Sequence, residues 1–379
     1  MTPLRLKFDP APHAGITRQG QAIPLGGFSG LRFIGATSSG LLQFVTHTDR
    51  GPNADEEQSP RGQVRPFALP SFQPRLIFLT ADLRKESFYF RSQVLLRLPD
   101  GKPVSGLPPS KNNEIALDLE GREIGSDENG LDLEGVAIAR DGSFWLCDEY
   151  APSLVHFSPE GLQLERLMPG RAIPETLRYR RMNRGFEGIA IWEDALFAAM
   201  ESPLDNPRSK REENSRRSRI TRIIRLDLTR KITTAQYAYI LEEADTGKIS
   251  DICMEGPNTM IVTEKARDWI RLYRIELGNA TNLQRLPSQI SGPGGSLERM
   301  SAKELAAQRI EPVKKAQLLD LTKLGMREEK FEGVDRIDEE TIALLTDNDF
   351  GLSGGIVHGN ALAEMKNEDP ALYIVPLGK

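Results

Sequence analysis

The chain has 379 residues, 39% apolar and 27% charged, with a formal net charge of −5. This composition suits a folded protein with a sizeable core and excludes a disordered one, and the acidic balance argues against a nucleic-acid partner, which selects a basic footprint. No run approaches ~20 consecutive apolar residues, so no membrane partner is expected, and the opening MTPLRLKFDPAPHAG holds no signal-peptide core. The chain as written therefore reads as cytoplasmic, or as periplasmic or secreted if an export signal precedes it.

In chain order, the first strand-like phrase is FSGLRF at Phe28–Phe33, followed by THTDR at Thr46–Arg50. Further apolar runs stand at 75–80 (RLIFLT), 87–90 and 93–98 (QVLLRL). LEGVAI at Leu133–Ile138 then turns through Asp141-Gly142, a hairpin signal between alternating apolar runs, and ends at CDEY, Cys147–Tyr150. FEGIAI at 186–191 leads to MES at 200–202, ISDICM at 249–254 to TEK at 263–265, and FEGVDRI at 331–337 to TDND at 346–349. From Glu134 to Asp148, Glu187 to Glu201, Asp251 to Glu264 and Glu332 to Asp347 the offsets are 14, 14, 13 and 15 residues. Two insertions interrupt the rhythm. The first, 206–219 (NPRSKREENSRRSR), has almost no apolar residue and reads as a solvated loop. The second carries a helical spacing of Leu297, Met300 and Leu305 over about 297–310, which reads as a short helix packed outside the repeats or over one end of them.

A repeat of strand, hairpin, strand, turn, strand without intervening helices describes blades of antiparallel sheet, and radial repetition of blades is a β-propeller. The expected fold is therefore all-β, one propeller domain over 1–379. Five repeats are marked, and the stretch between Phe28 and Leu133 is long enough for two blades, so six blades are expected. Residues at one end of every innermost strand meet at one mouth of the channel. Glu134, Glu187, Asp251 and Glu332 would then form a ring, the candidate catalytic set. Glu149, Glu201, Glu264, Asp347, Asn348 and Asp349 would lie on the same face. Crowded carboxylates disfavour each other's ionisation, so they require a cation, basic partners or raised pKa values.

Calcium is the cation expected of such a set, since it takes six to eight hard oxygen ligands in flexible geometry. Glu149, Glu201, Glu264, Asp347, Asn348 and Asp349 are its candidate ligands, and Arg50 and Lys265 are candidates for holding a small anionic substrate. Against this stands an architectural reading, in which each acid locks its blade to the next through backbone amides and the basic residues neutralise the ring. Only Cys147 and Cys253 are present and there is no CxxC, so zinc and disulfide scaffolds are not expected, and both cysteines read as buried hydrophobes. The histidines are His13, His47, His156 and His358, and His47 alone lies near a repeat. No GxSxG elbow or P-loop occurs, since GLSGG at 351–355 lacks the lysine.

Taken together, GGFSGLRF (26–33), HTDRGPN (47–53), LEGVAIARDGSFWLCDEY (133–150), NRGFEGIAI (183–191), MESPL (200–204), TEKARDWIRLYRIEL (263–277) and FEGVDRI with TDNDF (331–350) resemble the phytase-like family, the "esterase-like activity of phytase" domain. The resemblance implies a β-propeller and hydrolysis of a phosphate ester or related ester, here metal-assisted. A looser likeness to calcium-dependent lactonase propellers implies lactone hydrolysis as an alternative. A non-catalytic propeller that binds a ligand or partner at the same mouth is the alternative from another class.

Overall fold

Each repeat begins with a strand whose inward residues are small or branched, and it returns through a tight turn. At 139–143 the turn is closed by Ala139 and Ser143, with the Asp141 carboxylate accepting from the Ser143 amide at 3.0 Å and Gly142 at φ +82°. The computed structural model describes residues 2–378 other than 11, 112, 113, 207–213, 358, 359 and 367. Seven positions of the charged insertion at 206–219 therefore lie outside the described residues.

Five four-stranded antiparallel blades surround a channel. The first comprises Phe28–Ala36, Leu42–Thr48, Arg75–Asp82 and Ser87–Leu95. The second comprises Leu133–Ile138, Phe144–Asp148, Ser153–Phe157 and Gln163–Leu167. The third runs through Phe186–Trp192, Ala195–Met200, Ile220–Asp227 and Ile232–Ile240, and the fourth through Lys248–Gly256, Thr259–Ala266, Trp269–Glu276 and Lys314–Asp320. The fifth takes Phe331–Arg336, Thr341–Thr346 and Ala371–Pro376 and borrows its outer strand, Leu4–Phe8, from the N-terminus. Each innermost strand touches the next, and that of the fifth blade touches that of the first.

The all-β propeller is as expected, but the ring has five blades where six were expected. The runs at 75–80 and 87–98 do not build a blade of their own. They supply the third and fourth strands of the first blade, with Val45 opposite Phe78 and Leu79 opposite Phe90. The long segment that follows forms a small sheet of Glu57–Ser59, Gly62–Phe67 and Ile115–Asp118 beside the mouth. Closure comes from Leu4–Phe8, whose residues pair with Ala371–Ile374 on one side and with Ser87 and Phe88 on the other. That double pairing leaves no free edge between the two ends of the chain.

Apolar side chains fill the wedges between blades. Between the second and third lie Trp145, Leu154, Phe186, Ile189, Leu196 and Ile224, and between the third and fourth Phe197, Ile223, Tyr239, Ile252 and Val262. Each fully buried large side chain contributes about 1.5–3 kcal/mol, so the ring is held chiefly by these wedges. Cys147 and Cys253 are buried free thiols within this packing. The helical insertion is present as Ala302–Ala307, capped by Ser301 and Glu304, and it packs Leu297 and Leu305 outside the ring, on Ile220 and Ala238 of the third blade.

Candidate functional site

The mouth is shaped by a bulge repeated in the innermost strands. Pairing with the second strand slips between Leu133 and Gly135, Phe186 and Gly188, Ile249 and Asp251, and Phe331 and Gly333. The first blade slips one step later, between Ser29 and Arg32. A bulge leaves its extra residue unpaired and re-aims the side chain. Those extra residues are Glu134, Glu187, Ser250 and Glu332. The glycines that follow allow neighbouring strands to touch: a Cβ at Gly188 would lie 2.8 Å from the Ile252 amide nitrogen, and one at Gly333 would lie 2.7 Å from the Leu31 Cβ.

The fourth repeat is therefore displaced by one residue from its apparent alignment. Ser250 holds the glutamate position, and Asp251 holds the glycine position, facing the channel axis. There its Oδ2 accepts from the Val334 amide at 2.9 Å and lies 3.4 Å from Arg32 Nη1. Arg32 is buried at the axis, donating at 3.0 Å to the Val334 and Ile252 carbonyls and also to those of Leu31 and Ile189. Burial pushes the Asp251 carboxyl up to about 7 against the pull of Arg32. The end of the second strand shows the same displacement. Thr48, Asp148, Met200, Glu264 and Thr346 are equivalent in register, so Asp49, Glu149, Glu201, Lys265 and Asp347 follow as the next equivalent set. Glu264 turns into its own blade, accepting from Tyr239 Oη at 2.6 Å and Lys315 Nζ at 2.7 Å.

At the mouth lies a cavity of about 790 Å³, whose lining includes twelve carboxylates and eight cationic side chains. Eight of these acids come from four blades: Asp49, Glu134, Glu149, Glu187, Glu201, Glu332, Asp347 and Asp349. The oxygens of Glu149, Glu187 and Glu201 lie within 4.8 Å of one another, as do those of Asp132, Glu134 and Glu149. Arg50 is committed to Glu114 at 3.1 Å, to Glu149 at 3.2 Å and to Asp132. Lys248 and Arg184 each reach Glu201 Oε1 at 2.7 Å. Lys330 binds Asp347 at 3.3 Å and also Asp349. Glu201 Oε2 and Glu332 Oε2 are buried with no hydrogen-bond partner.

Burial, followed by neighbouring carboxylates, holds the Glu134, Glu149 and Glu187 carboxyls well above the usual range. Glu201 stands beside them with its pKa lowered, because Arg184 and Lys248 together outweigh its burial. Burial and the adjacent Asp349 push Asp347 up to about 7. Asp349 itself goes down, since Lys330 and Lys366 overcome its desolvation.

Of the residues proposed from sequence, Glu134, Glu187, Glu332, Glu149, Glu201, Asp347, Asp349 and Arg50 share this cavity. Asp251, Glu264, Asn348 and Lys265 do not line it. Asn348 donates to the Glu368 carbonyl at 2.9 Å, and Lys265 reaches the Glu329 carbonyl from a separate pocket that also holds Trp269. Burial lowers the Lys265 pKa. His47 is fully buried beneath the mouth, and its ring is held neutral with a pKa of about 4 by desolvation, while His358 lies outside the described residues. Sequence reading missed Asp49, Asp132, Glu114, Lys248 and Lys330. Asp132, Lys248 and Lys330 each stand immediately before the first core residue of a repeat, a recurrent position that the spacing of acids does not mark.

A family model described as "Phytase-like: Esterase-like activity of phytase" matches residues 23–350. The chain belongs to the phytase-like family. An uncharacterized secreted protein of Arthroderma benhamiae is 28% identical over 171 residues, covering 34% of this chain and 33% of that protein, so the match spans about a third of that relative's length. Among solved structures, the allergen Mala s 1 of Malassezia sympodialis aligns at 9% identity over 96% of this chain and 82% of that one, with a TM-score of 0.38. The PQQ-bound aldose sugar dehydrogenase of Streptomyces coelicolor aligns at 14% identity over 93% and 95%, with a TM-score of 0.37. These scores carry no argument here, and the propeller assignment for this phytase-like chain rests on its strand pairing. Among the described residues no helix is long and apolar enough to cross a membrane.

Proposed function

We propose that this phytase-like propeller hydrolyses a phosphate ester or related ester at the acidic mouth, assisted by a hard divalent cation, calcium. One observation carries the reading: a single cavity gathers eight buried or half-buried carboxylates from four blades, and with four exposed ones at its rim its acids outnumber its cations by twelve to eight. The donors suit calcium. They are carboxylate oxygens with neither histidine nor thiolate among them, and Glu201 Oε2 is buried without a partner. Glu149, Glu187 and Glu201 are the residues that would hold the ion, and Asp132, Glu134 and Glu149 form a neighbouring group of the same kind. When bound, it supplies positive charge that offsets the crowded carboxylates and the substrate's oxyanions.

The chain's own groups provide the remaining chemistry. Lys330, Lys366 and Arg184 face the cavity and attract an anionic substrate. Asp347, at about 7, is poised near neutral pH to exchange a proton with the attacking water or the leaving oxygen. In hydrolysis a water oxygen bonds to phosphorus, the ester P–O bond breaks, and the water's proton ends on the leaving alkoxide. Tyr150, buried under Arg50 at 5.0 Å, backs one wall. The curated relative's description as secreted supports an extracellular setting, where free calcium is plentiful.

Phosphate release from p-nitrophenyl phosphate and phytate, with calcium and with chelator, tests the proposal, and a lactone panel runs beside it. Calcium-dependent release that is lost in the Glu187→Gln/Glu332→Gln double variant, with the fold retained, is the expected result. A second reading, a non-catalytic binding propeller, is favoured by the commitment of Arg50 to three carboxylates, which neutralises part of the ring internally. Calcium binding without turnover on any of these substrates would select it.

A further inference from the structure

Lys248 differs from its counterparts in the carboxylates that it reaches. Where the fourth and fifth blades have Lys248 and Lys330, the first and third have Gly27 and Gly185 and the second has Asp132, and Lys330 pairs within its own blade, with Asp347 and Asp349. The Lys248 ammonium crosses to the carboxylates of the third blade, 2.7 Å from Glu201 Oε1 and 3.5 Å from Glu187 Oε1. Arg184 takes the same Glu201 oxygen at 2.7 Å. Two cations thus share Oε1, while Oε2 of the same carboxylate, on a residue 2% exposed, has no hydrogen-bond partner. Glu149 completes the triplet, with one oxygen from each of the three residues within 4.8 Å of the others.

We propose that Lys248 is a tethered occupant of a divalent-cation position formed by Glu149, Glu187 and Glu201, and that the ion displaces it. Charge and placement lead to this assignment. Glu149, Glu187 and Glu201 face three cations, Arg50 on Glu149 and Arg184 and Lys248 on the third-blade acids, so the cluster with all three carboxylates ionised is already balanced. A divalent ion entering with every cation retained would leave an excess of two positive charges, so its entry favours the departure of one of them, and Lys248 is the one that lies on two of the three carboxylates. Geometry agrees, because an ammonium uses few of the acceptor sites that three carboxylates offer, whereas calcium accepts six to eight oxygens. The lysine also has somewhere to go: its four-carbon stem is flexible, and its side chain already lines the cavity and is 21% exposed. Once released, the ammonium faces the cavity, so loading the ion presents a positive charge to an anionic substrate.

This inference rests on the cation-assisted reading above, and the test separates the two. Calcium is titrated by calorimetry into chelator-stripped wild type, Lys248→Met, Lys330→Met and Glu201→Gln, each checked by thermal melting. Removing the competing ammonium is expected to tighten calcium binding by at least about tenfold. Lys330→Met, which makes the same charge change elsewhere in the mouth, is expected to shift it by less than about threefold under the same screening. Glu201→Gln should abolish binding. Unchanged or weaker binding in Lys248→Met, or equal tightening in both lysine variants, would overturn the proposal while leaving a calcium-binding wild type intact. Absence of calcium binding in every protein would overturn the cation-assisted function itself. If Lys248→Met does not fold, Lys248→Gln replaces it with the same expectations.

Discussion

The third and fourth blades carry similar phrases on equivalent strands, yet they do opposite work. In FEGIAI the residue at the bulge is Glu187, which enters the cavity, and a glycine lets the next strand approach. In ISDICM the bulge residue is Ser250, and the acid stands one position later, where it braces the axis against Arg32. Because strand side chains alternate between faces, a shift of one residue moves a carboxylate from the mouth to the interior. The same acid type is thus a candidate ligand in one blade and a strut in the next, and similarity of motif does not distinguish the two.

The sharpest way to break this comparison is to remove the strut. Arg32→Met leaves the buried Asp251 without its cation, removes one of the two cations beside Asp335 and frees four strand carbonyls, and it should cost about 3–5 kcal/mol by denaturant unfolding. Glu187→Gln, at the mouth, should instead stay within about 1 kcal/mol of wild type or gain stability, since it relieves repulsion. Equal losses in the two variants would mean that the mouth acids are also struts.

A pH series sharpens the contrast further. The Asp251 and Asp347 carboxyls sit at about 7 in the folded protein, above their ordinary value of 3.8. Between roughly pH 4 and 7 the native state keeps protons that the unfolded chain has released, so stability falls as pH rises through that window. Glu134, Glu149 and Glu187 act in the same direction. His47 opposes them, because its native pKa of about 4 makes stability rise with pH up to about 6.5, and His156, lowered by burial, acts with it, but the raised carboxyls outnumber these two imidazoles. Chelator-stripped protein should therefore lose roughly 2–5 °C in Tm between pH 5 and 7.5. Calcium should remove the part of this loss that belongs to the mouth and leave the part that belongs to Asp251.

The smallest effect is expected at Lys265. It occupies the position of Glu149 and Glu201 in the fourth blade but lies in a separate pocket, so Lys265→Met should change calcium affinity by less than about twofold. A larger change in calorimetry would mean that the fourth blade contributes to the site after all.

Much of this was legible in the sequence. Offsets of 13 to 15 residues between acids at the ends of apolar runs are a direct reading of the hairpin that joins the first two strands of each blade, and they led to the propeller and to eight of the residues that share the cavity. Asp251 and Glu264 were drawn into the same set because spacing alone cannot show where a bulge inserts its extra residue. Lys248 and Lys330 escape it because a lysine before a strand has no signature of its own until the strand's neighbours are known.

The repeat itself is a property of the sequence, since each unit needs its own alternation and turn chemistry to form a blade. Blade number, the alignment of the fourth repeat and the composition of the site are tertiary decisions. They depend on Leu4–Phe8 reaching the far end of the chain, on which residue each bulge leaves unpaired, and on side chains from different blades meeting within a few ångströms. The physical reason is the same in each case: closing the ring brings together residues more than a hundred positions apart, and only that closure decides which charges must share one space.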